Sequence, residues 1–303
     1  MPQNFPEIWL GRIIQNLDKS DEGTFLNGVD EIAADVTQIN AGSQSELNKI
    51  YVPNTEFEVD VLINNNTYPI PVQEYADGTI EITLDKFQTK VTTLNDDDVI
   101  GASYDKIDVV QKSHTRSILS NRYKKAIHAI APAQNTATAP VFLATGGVDG
   151  LTDSTSRFRL TYDDLVSFKQ KWEDSGNDGG VLVLNNAHWN DLLMDRKNFG
   201  DQLVNYKAGT PSPVILGFEI RTYAKMPRYS ATNVKKAYGA INETTDKVAS
   251  VAFMKEGIAK KTGLTKQYYV DSKSNPTGQA NQLAYRHYFV VVPYQNRKIG
   301  AIL

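Results

Sequence analysis

The chain has no cysteine, which excludes disulfide staples, thiolate metal sites and cysteine nucleophiles. It also has little net charge. Against 35 Asp and Glu stand 32 Lys and Arg, giving −3, so no global basic surface argues for nucleic acid or an anionic membrane. No apolar run approaches the roughly 20 residues that a membrane-spanning helix needs. Pro2, Pro6 and Glu7 stand where a secretory leader would carry a basic region and an apolar core. The expectation is a chain made and kept in a cytoplasm-like compartment, or assembled from there. Recognisable catalytic patterns are missing too. The four histidines lie far apart, and there is no HExxH pair, GxSxG elbow, Walker loop or GxGxxG after a strand. Gly146-Gly147-Val148-Asp149-Gly150 lacks the Lys-Ser/Thr of a phosphate loop; calcium is conceivable there, but the carboxylates follow no known ligand spacing. Carboxylates are plentiful, yet no acid/base pair is singled out. These absences favour a structural or binding protein.

What is present is organised around Asp96 to Ala131, which reads as one long helix. Large or apolar residues recur at Ile100, Tyr104, Ile107, Val110, His114 and Ile118, then shift by one position through Leu119, Tyr123, Ile127 and Ile130. That drift is expected of a 3.6-residue period. Asp96, Asp97 and Asp98 suit a helix start, and Arg122, Lys124 and Lys125 suit its end. Pro132 stops it. Such a helix is on the order of 50 Å long.

Ahead of it, residues 1–48 read as an acidic arm. Over residues 1–50, Arg12, Lys19 and Lys49 face Glu7, Asp18, Asp21, Glu22, Asp30, Glu31, Asp35 and Glu46. A short helix from Pro6 and another from Asp30 are expected, with too few apolar residues to form a core; Trp9 therefore needs a neighbouring element or subunit. Residues 50–94 switch to a period of two. Phe57, Val59, Val61 and Ile63 form one alternating run, and Ile80, Ile82 and Leu84 form another, with turn signals at Asn64-Asn65-Asn66 and Asp77-Gly78. A small antiparallel ribbon fits, and a two-stranded ribbon is marginal alone.

Behind the long helix comes an αβα run. Thr161 caps a helix with Asp164 at its third position and Leu165, Phe168 and Trp172 on its apolar face. Val181–Leu184 is a buried strand, and Asn185 or Asn186 caps a short helix carrying Trp189, Leu192 and Leu193. Further strands are expected at Val214–Tyr223, with Gly217 inside, and at Ala249–Phe253, Lys255–Val270 and Ala280–Val292. From Arg221 to Lys266 there are ten Lys and Arg against Glu243, Asp246 and Glu256, an excess of seven. Lys235 and Lys236 lie in this run. A solvated face is the plain reading; pairing with acidic neighbours is the sharper one. His114, His188 and His287 read as core or interface residues.

Several stretches carry a family resemblance. Phe5-Pro6-Glu7-Ile8-Trp9-Leu10-Gly11-Arg12-Ile13 opens like the "PEIW" start of many phage coat proteins. Tyr162-Asp163-Asp164-Leu165-Val166, then Val181-Leu182-Val183-Leu184-Asn185-Asn186-Ala187-His188-Trp189-Asn190-Asp191-Leu192-Leu193, looks like a helix, strand and "NP..W..L" turn, with Asn186 where many members have proline. Ile215-Leu216-Gly217-Phe218-Glu219-Ile220 looks like a "GfpV" strand entry, and Ala284–Val292 like a closing strand. In this order they resemble the major capsid proteins of tailed bacteriophages, the Hong Kong 97-type coat fold.

The resemblance implies an α+β fold with an N-terminal arm (1–48), an extended β-hairpin loop (49–95) and a peripheral domain (96–157 and 251–303) built on the spine helix 96–131. An axial domain (158–250) completes it. It implies a shell of hexamers and pentamers around double-stranded DNA, no cofactor, no metal and no catalysis. Expected subunit-contact residues are Trp9, Phe57, Val59, Val61, Ile63, Ile80, Ile82, Leu84, Lys235 and Lys236. Expected partners are further copies of the chain, a portal, decoration proteins, and packaged DNA held without base readout; no membrane is expected. Because the sequence opens directly at the arm, a separate scaffolding protein is expected rather than a fused one. Lysine–asparagine cross-linking is not carried over. The alternatives are an encapsulin-type compartment shell, a cytoplasmic enzyme with an unrecognised carboxylate site, and a fibre or adhesin, which the central helix and αβα run disfavour.

Overall fold

The computed structural model describes residues 21–32, 37–39, 47–54, 59–73, 78–95, 106–195, 204–205, 210–211, 214–274 and 277–303. The chain forms two compact units, one of residues up to Glu31 with Lys86–Leu303, the other Ile32–Asp85.

The larger unit is layered around a short strand, Gly180–Leu184, that is apolar at every second and every intervening position. Val181 and Val183 enter one core, Leu182 and Leu184 the other. Burial on both faces requires this continuous apolar run. The strand sits inside a six-stranded mixed sheet ordered Val214–Ile215, Phe218–Thr222, Gly180–Leu184, Ser250–Phe253, Ile299–Ile302, Val141–Phe142. On one face lie Leu165, Phe168 and Trp172 of the helix Tyr162–Asp174, and Leu192 of the helix Asn186–Met194. Thr161 caps the helix as the sequence predicts, and with Asp164 at the third position it forms a reciprocal capping box. Asn185, not Asn186, caps the next helix, accepting from the His188 backbone N–H.

The other face meets the long helix and a long hairpin. The helix is described over Lys106–Ile130; the expected turns at 96–105 lie outside the described residues. Ile118, Leu119, Tyr123, Ile127 and Ile130 are buried as expected, whereas Ile107 and Val110 are only half-buried. The hairpin pairs Ile258–Val270 with Ala280–Pro293, which also pairs with Asp85–Gln88 and Thr92–Asn95.

Three local expectations change. Val214–Tyr223 is two antiparallel strands, Val214–Ile215 and Phe218–Thr222, because Leu216 and Gly217 both take positive φ and turn the chain back. Asp30 starts no helix; Asp30–Glu31 is a strand parallel to Ala259–Lys260. Nor is all of the acidic arm outside the core. Phe25, Leu26 and Val29 are buried in it, with the Phe25 ring 6.2 Å from Tyr123 and 5.4 Å from Tyr223. Three apolar residues cannot bury each other, but they can complete a core supplied by distant segments.

In the smaller unit, Leu47–Asn54 pairs antiparallel with Gly78–Thr83 and with Thr37–Ile39. Ile50 and Ile82 face each other across the ladder and are both buried. Of the strand expected over Phe57–Ile63, Phe57 and Glu58 lie outside the described residues, and Val59–Ile63 is irregular, as is the rest of the segment to Gln73. The strand that pairs with Gly78–Thr83 is Leu47–Asn54 instead.

Candidate assembly surfaces

The alternating residues of the smaller unit split into two sets. Val59, Val61 and Ile63 are 63%, 80% and 83% exposed. Leu62, Tyr68, Ile70 and Val72 join them, with Val72 at 90%. Ile70 and Val72 are not among the expected contact residues: Pro69 and Pro71 lack ladder donors and mark a loop or edge, and the alternation of Ile70 and Val72 about Pro71 is the signal that points to them. Asn65 Oδ1 accepts from the Thr67 N–H at 2.9 Å and Gln73 Oε1 from the Asp60 N–H at 3.0 Å. These bonds tie the loop to itself while its apolar side chains stay in water. Ile82 and Leu84, by contrast, are buried already. Trp9, Phe57 and the side chain of Ile80 lie outside the described residues.

Lys235 and Lys236 have partners within the chain. Lys235 Nζ donates to the carbonyls of His128 (3.0 Å) and Ala131 (2.5 Å), covering the free carbonyl end of the long helix. Its half-buried position lowers its pKa. Lys236 Nζ lies 2.9 Å from Asp246 and 3.4 Å from Glu243. The rest of the basic run is spread in the same way. Arg221 and Lys255 both bind Glu219, whose pKa falls through the Lys255 hydrogen bond first. Lys247 reaches Asn233 Oδ1 at 2.9 Å. Both readings of this run therefore hold in part. The carboxylates pair locally, and positive charge is left over.

The carboxylates of the glycine-rich region serve as structural acceptors. Asp164 Oδ1 accepts from Thr145 Oγ1 at 2.6 Å and from its N–H at 3.1 Å. Asp191 accepts from the Leu160 N–H and pairs with Arg157 at 2.8 Å, while Arg157 also meets Asp153 at 3.0 Å. The loop is thereby fastened to both helices of the αβα layer. Among the described residues no group of three or more His, Asp or Glu could hold a metal ion, and no helix is long and apolar enough to cross a membrane. His114 Nε2 meets Thr92 Oγ1, His287 Nδ1 meets Thr265 Oγ1, both at 2.9 Å, and His188 Nδ1 meets Ser250 Oγ at 2.8 Å. These histidines are core residues with hydroxyl partners.

The larger unit is thus an α+β architecture: a mixed sheet with the long helix on one face, the capped helix pair on the other and the long hairpin beside it. A family model described as "Phage capsid protein" matches residues 76–302. The solved structure of Mycobacterium phage Che8 is similar at 13% identity and a TM-score of 0.54, covering 90% of this chain and 93% of that one. The mature capsid of bacteriophage PhiM1 is similar at 15% identity and a TM-score of 0.57, covering 92% and 86%. The head of Helicobacter pylori bacteriophage KHP40 is similar at 10% identity and a TM-score of 0.57, covering 94% and 91%. No curated protein matches the chain. The fold is the Hong Kong 97-type capsid fold. The chain belongs to the phage capsid protein family: it is a major capsid protein, a subunit that builds an icosahedral shell from many copies of itself.

Proposed function

We propose that the chain assembles through hexamers and pentamers into the head of a tailed phage and encloses double-stranded DNA without base readout. Its role on this reading is structural, and the family match favours it over a compartment shell. The assignment of arm, extended loop, peripheral and axial regions at 1–48, 49–95, 96–157 with 251–303, and 158–250 belongs to the same proposal. A separate scaffolding protein, a portal and assembly in the host cytoplasm complete it.

The observation that carries it is the exposed apolar loop Val59–Gln73. Val61, Ile63 and Val72 leave apolar side chains in water, and such patches mark sites of association. In this reading they are covered by a neighbouring copy, with Val59 and Trp9 contributing. Purified protein is expected to form particles visible by negative-stain microscopy. Replacing residues 59–73 by a Gly/Ser linker should keep circular dichroism and melting largely unchanged while particles are lost. An unfolded product would show that the loop belongs to its own subunit's core, and intact particles would remove it from the contacts.

A further inference from the structure

At the carbonyl end of the long helix a cavity of about 360 Å³ opens between that helix and the segments 224–228 and 236–242. Four cations line it, Lys124, Lys225, Arg228 and Lys236, together with His128, and no carboxylate does. Lys236 is neutralised by Asp246 and Glu243. Lys225 donates to Ser120 Oγ. Arg228 has only the more distant charge of Asp246; its guanidinium makes no hydrogen bond among the described residues, although it carries five donors in a planar fork. Among the described residues Lys124 Nζ meets only the Tyr238 ring, 5.5 Å from the centroid. Lys125 approaches the same ring at 5.7 Å, and the ring in turn meets His128 edge-on at 5.6 Å.

Two further features suit an anion. The helix end would ordinarily present negative carbonyls to this cavity, but Lys235 Nζ covers those of His128 and Ala131, and His128 Nε2 is held by the Lys236 carbonyl at 2.8 Å. Burial lowers the His128 pKa; its hydrogen bond to the Lys236 carbonyl works the other way, and the nearby charges of Lys235, Lys125 and Lys124 lower it further.

We propose that this cavity is a phosphate-binding site in which Arg228 grips the phosphate oxygens and Lys124 and Lys225 supply the neutralising charge. A planar fork beside point charges matches phosphate geometry, and several cations with no lining carboxylate fit a multiply charged anion better than a single carboxylate. The phosphate comes either from a nucleic-acid backbone or from a free phosphate compound. The site rests on the cavity and its side chains, not on the shell reading, and is tested on the full chain whether or not particles form.

The experiment titrates the full-length protein with inorganic pyrophosphate by calorimetry and with a fluorescent duplex of arbitrary sequence by anisotropy. Arg228→Gln and Lys124→Gln are compared with Lys169→Gln, which lies on another helix. Each cavity variant is expected to weaken binding about tenfold and to lower the salt slope for the duplex by about one, with the Lys169 variant near wild type. Loss of both ligands in the cavity variants assigns the site to the nucleic-acid backbone; loss of pyrophosphate alone assigns it to a free phosphate compound. Cavity variants that bind both as tightly as wild type overturn the proposal. So does a wild-type protein that binds neither, or one that takes up an acidic peptide instead.

Discussion

At the scale of single residues, the buried histidines make stability depend on pH. Burial, with Arg157 adding repulsion, holds the pKa of His188 down to about 3 against an ordinary 6.5. Burial and then Arg122 bring His287 down to about 4. Between those values and 6.5 the unfolded chain binds protons that the folded chain refuses, so stability is full above that range and falls as pH drops through it. Urea midpoints should therefore decline from about pH 7.5 to about pH 5, and the double variant His188→Gln, His287→Gln should flatten the decline. An unchanged slope would place the proton uptake elsewhere. Gly180 carries a different constraint. Its φ is +114°, and an added Cβ would stand 2.7 Å from the Phe253 carbonyl oxygen. Strain and backbone overlap together predict that Gly180→Ala costs about 2–4 kcal/mol by denaturant unfolding. The sequence shows a glycine before an apolar run, but the carbonyl it must admit is 73 positions away in the chain.

At the scale of elements, the long helix shows how far periodicity reaches. Ile127 and Ile130 are fully buried, as the stripe predicts, while Ile107 and Val110 on the same stripe are half-buried. Periodicity gives the direction of a face; the neighbours along its length decide how much of that face is covered. Ile127→Ala should cost about 2–5 kcal/mol, and Ile107→Ala clearly less, measured by urea denaturation. Equal costs would mean that the helix is covered along its whole length. The αβα layer was legible in detail because its signals are local. Thr161 and Asp164 are three residues apart, and the Asn185 side-chain oxygen caps its helix through the His188 N–H, three residues on. The part of the expected Phe57–Ile63 strand that is described, Val59–Ile63, is irregular for the opposite reason. Alternation states that a segment could pair, not which segment it pairs with, and the strand beside Gly78–Thr83 is Leu47–Asn54.

At the scale of the whole molecule, the stretches Phe5–Ile13, Tyr162–Val166, Val181–Leu193, Ile215–Ile220 and Ala284–Val292, taken in that order, carried the resemblance to phage coat proteins in the sequence. Those are properties of local chemistry and chain order, which no packing arrangement alters. The burial of Phe25, Leu26 and Val29 against Tyr123 and Tyr223 was not indicated, because it joins segments about 100 and 200 positions apart through contacts that leave no period. The candidate surfaces divide along the same line. Val59, Val61 and Ile63 were readable as apolar residues wanting cover, whereas tertiary structure alone showed that Ile82 and Leu84 are covered already. The basic run from Arg221 to Lys266 was visible as a charge excess. Only the folded chain pairs Lys236 with Asp246, sets Lys235 on the helix carbonyls and leaves Arg228 beside Lys124 in one cavity. Charge is fixed by composition, but which charges neutralise each other depends on distances of a few ångströms between residues far apart in sequence, and those distances exist only once the core has closed.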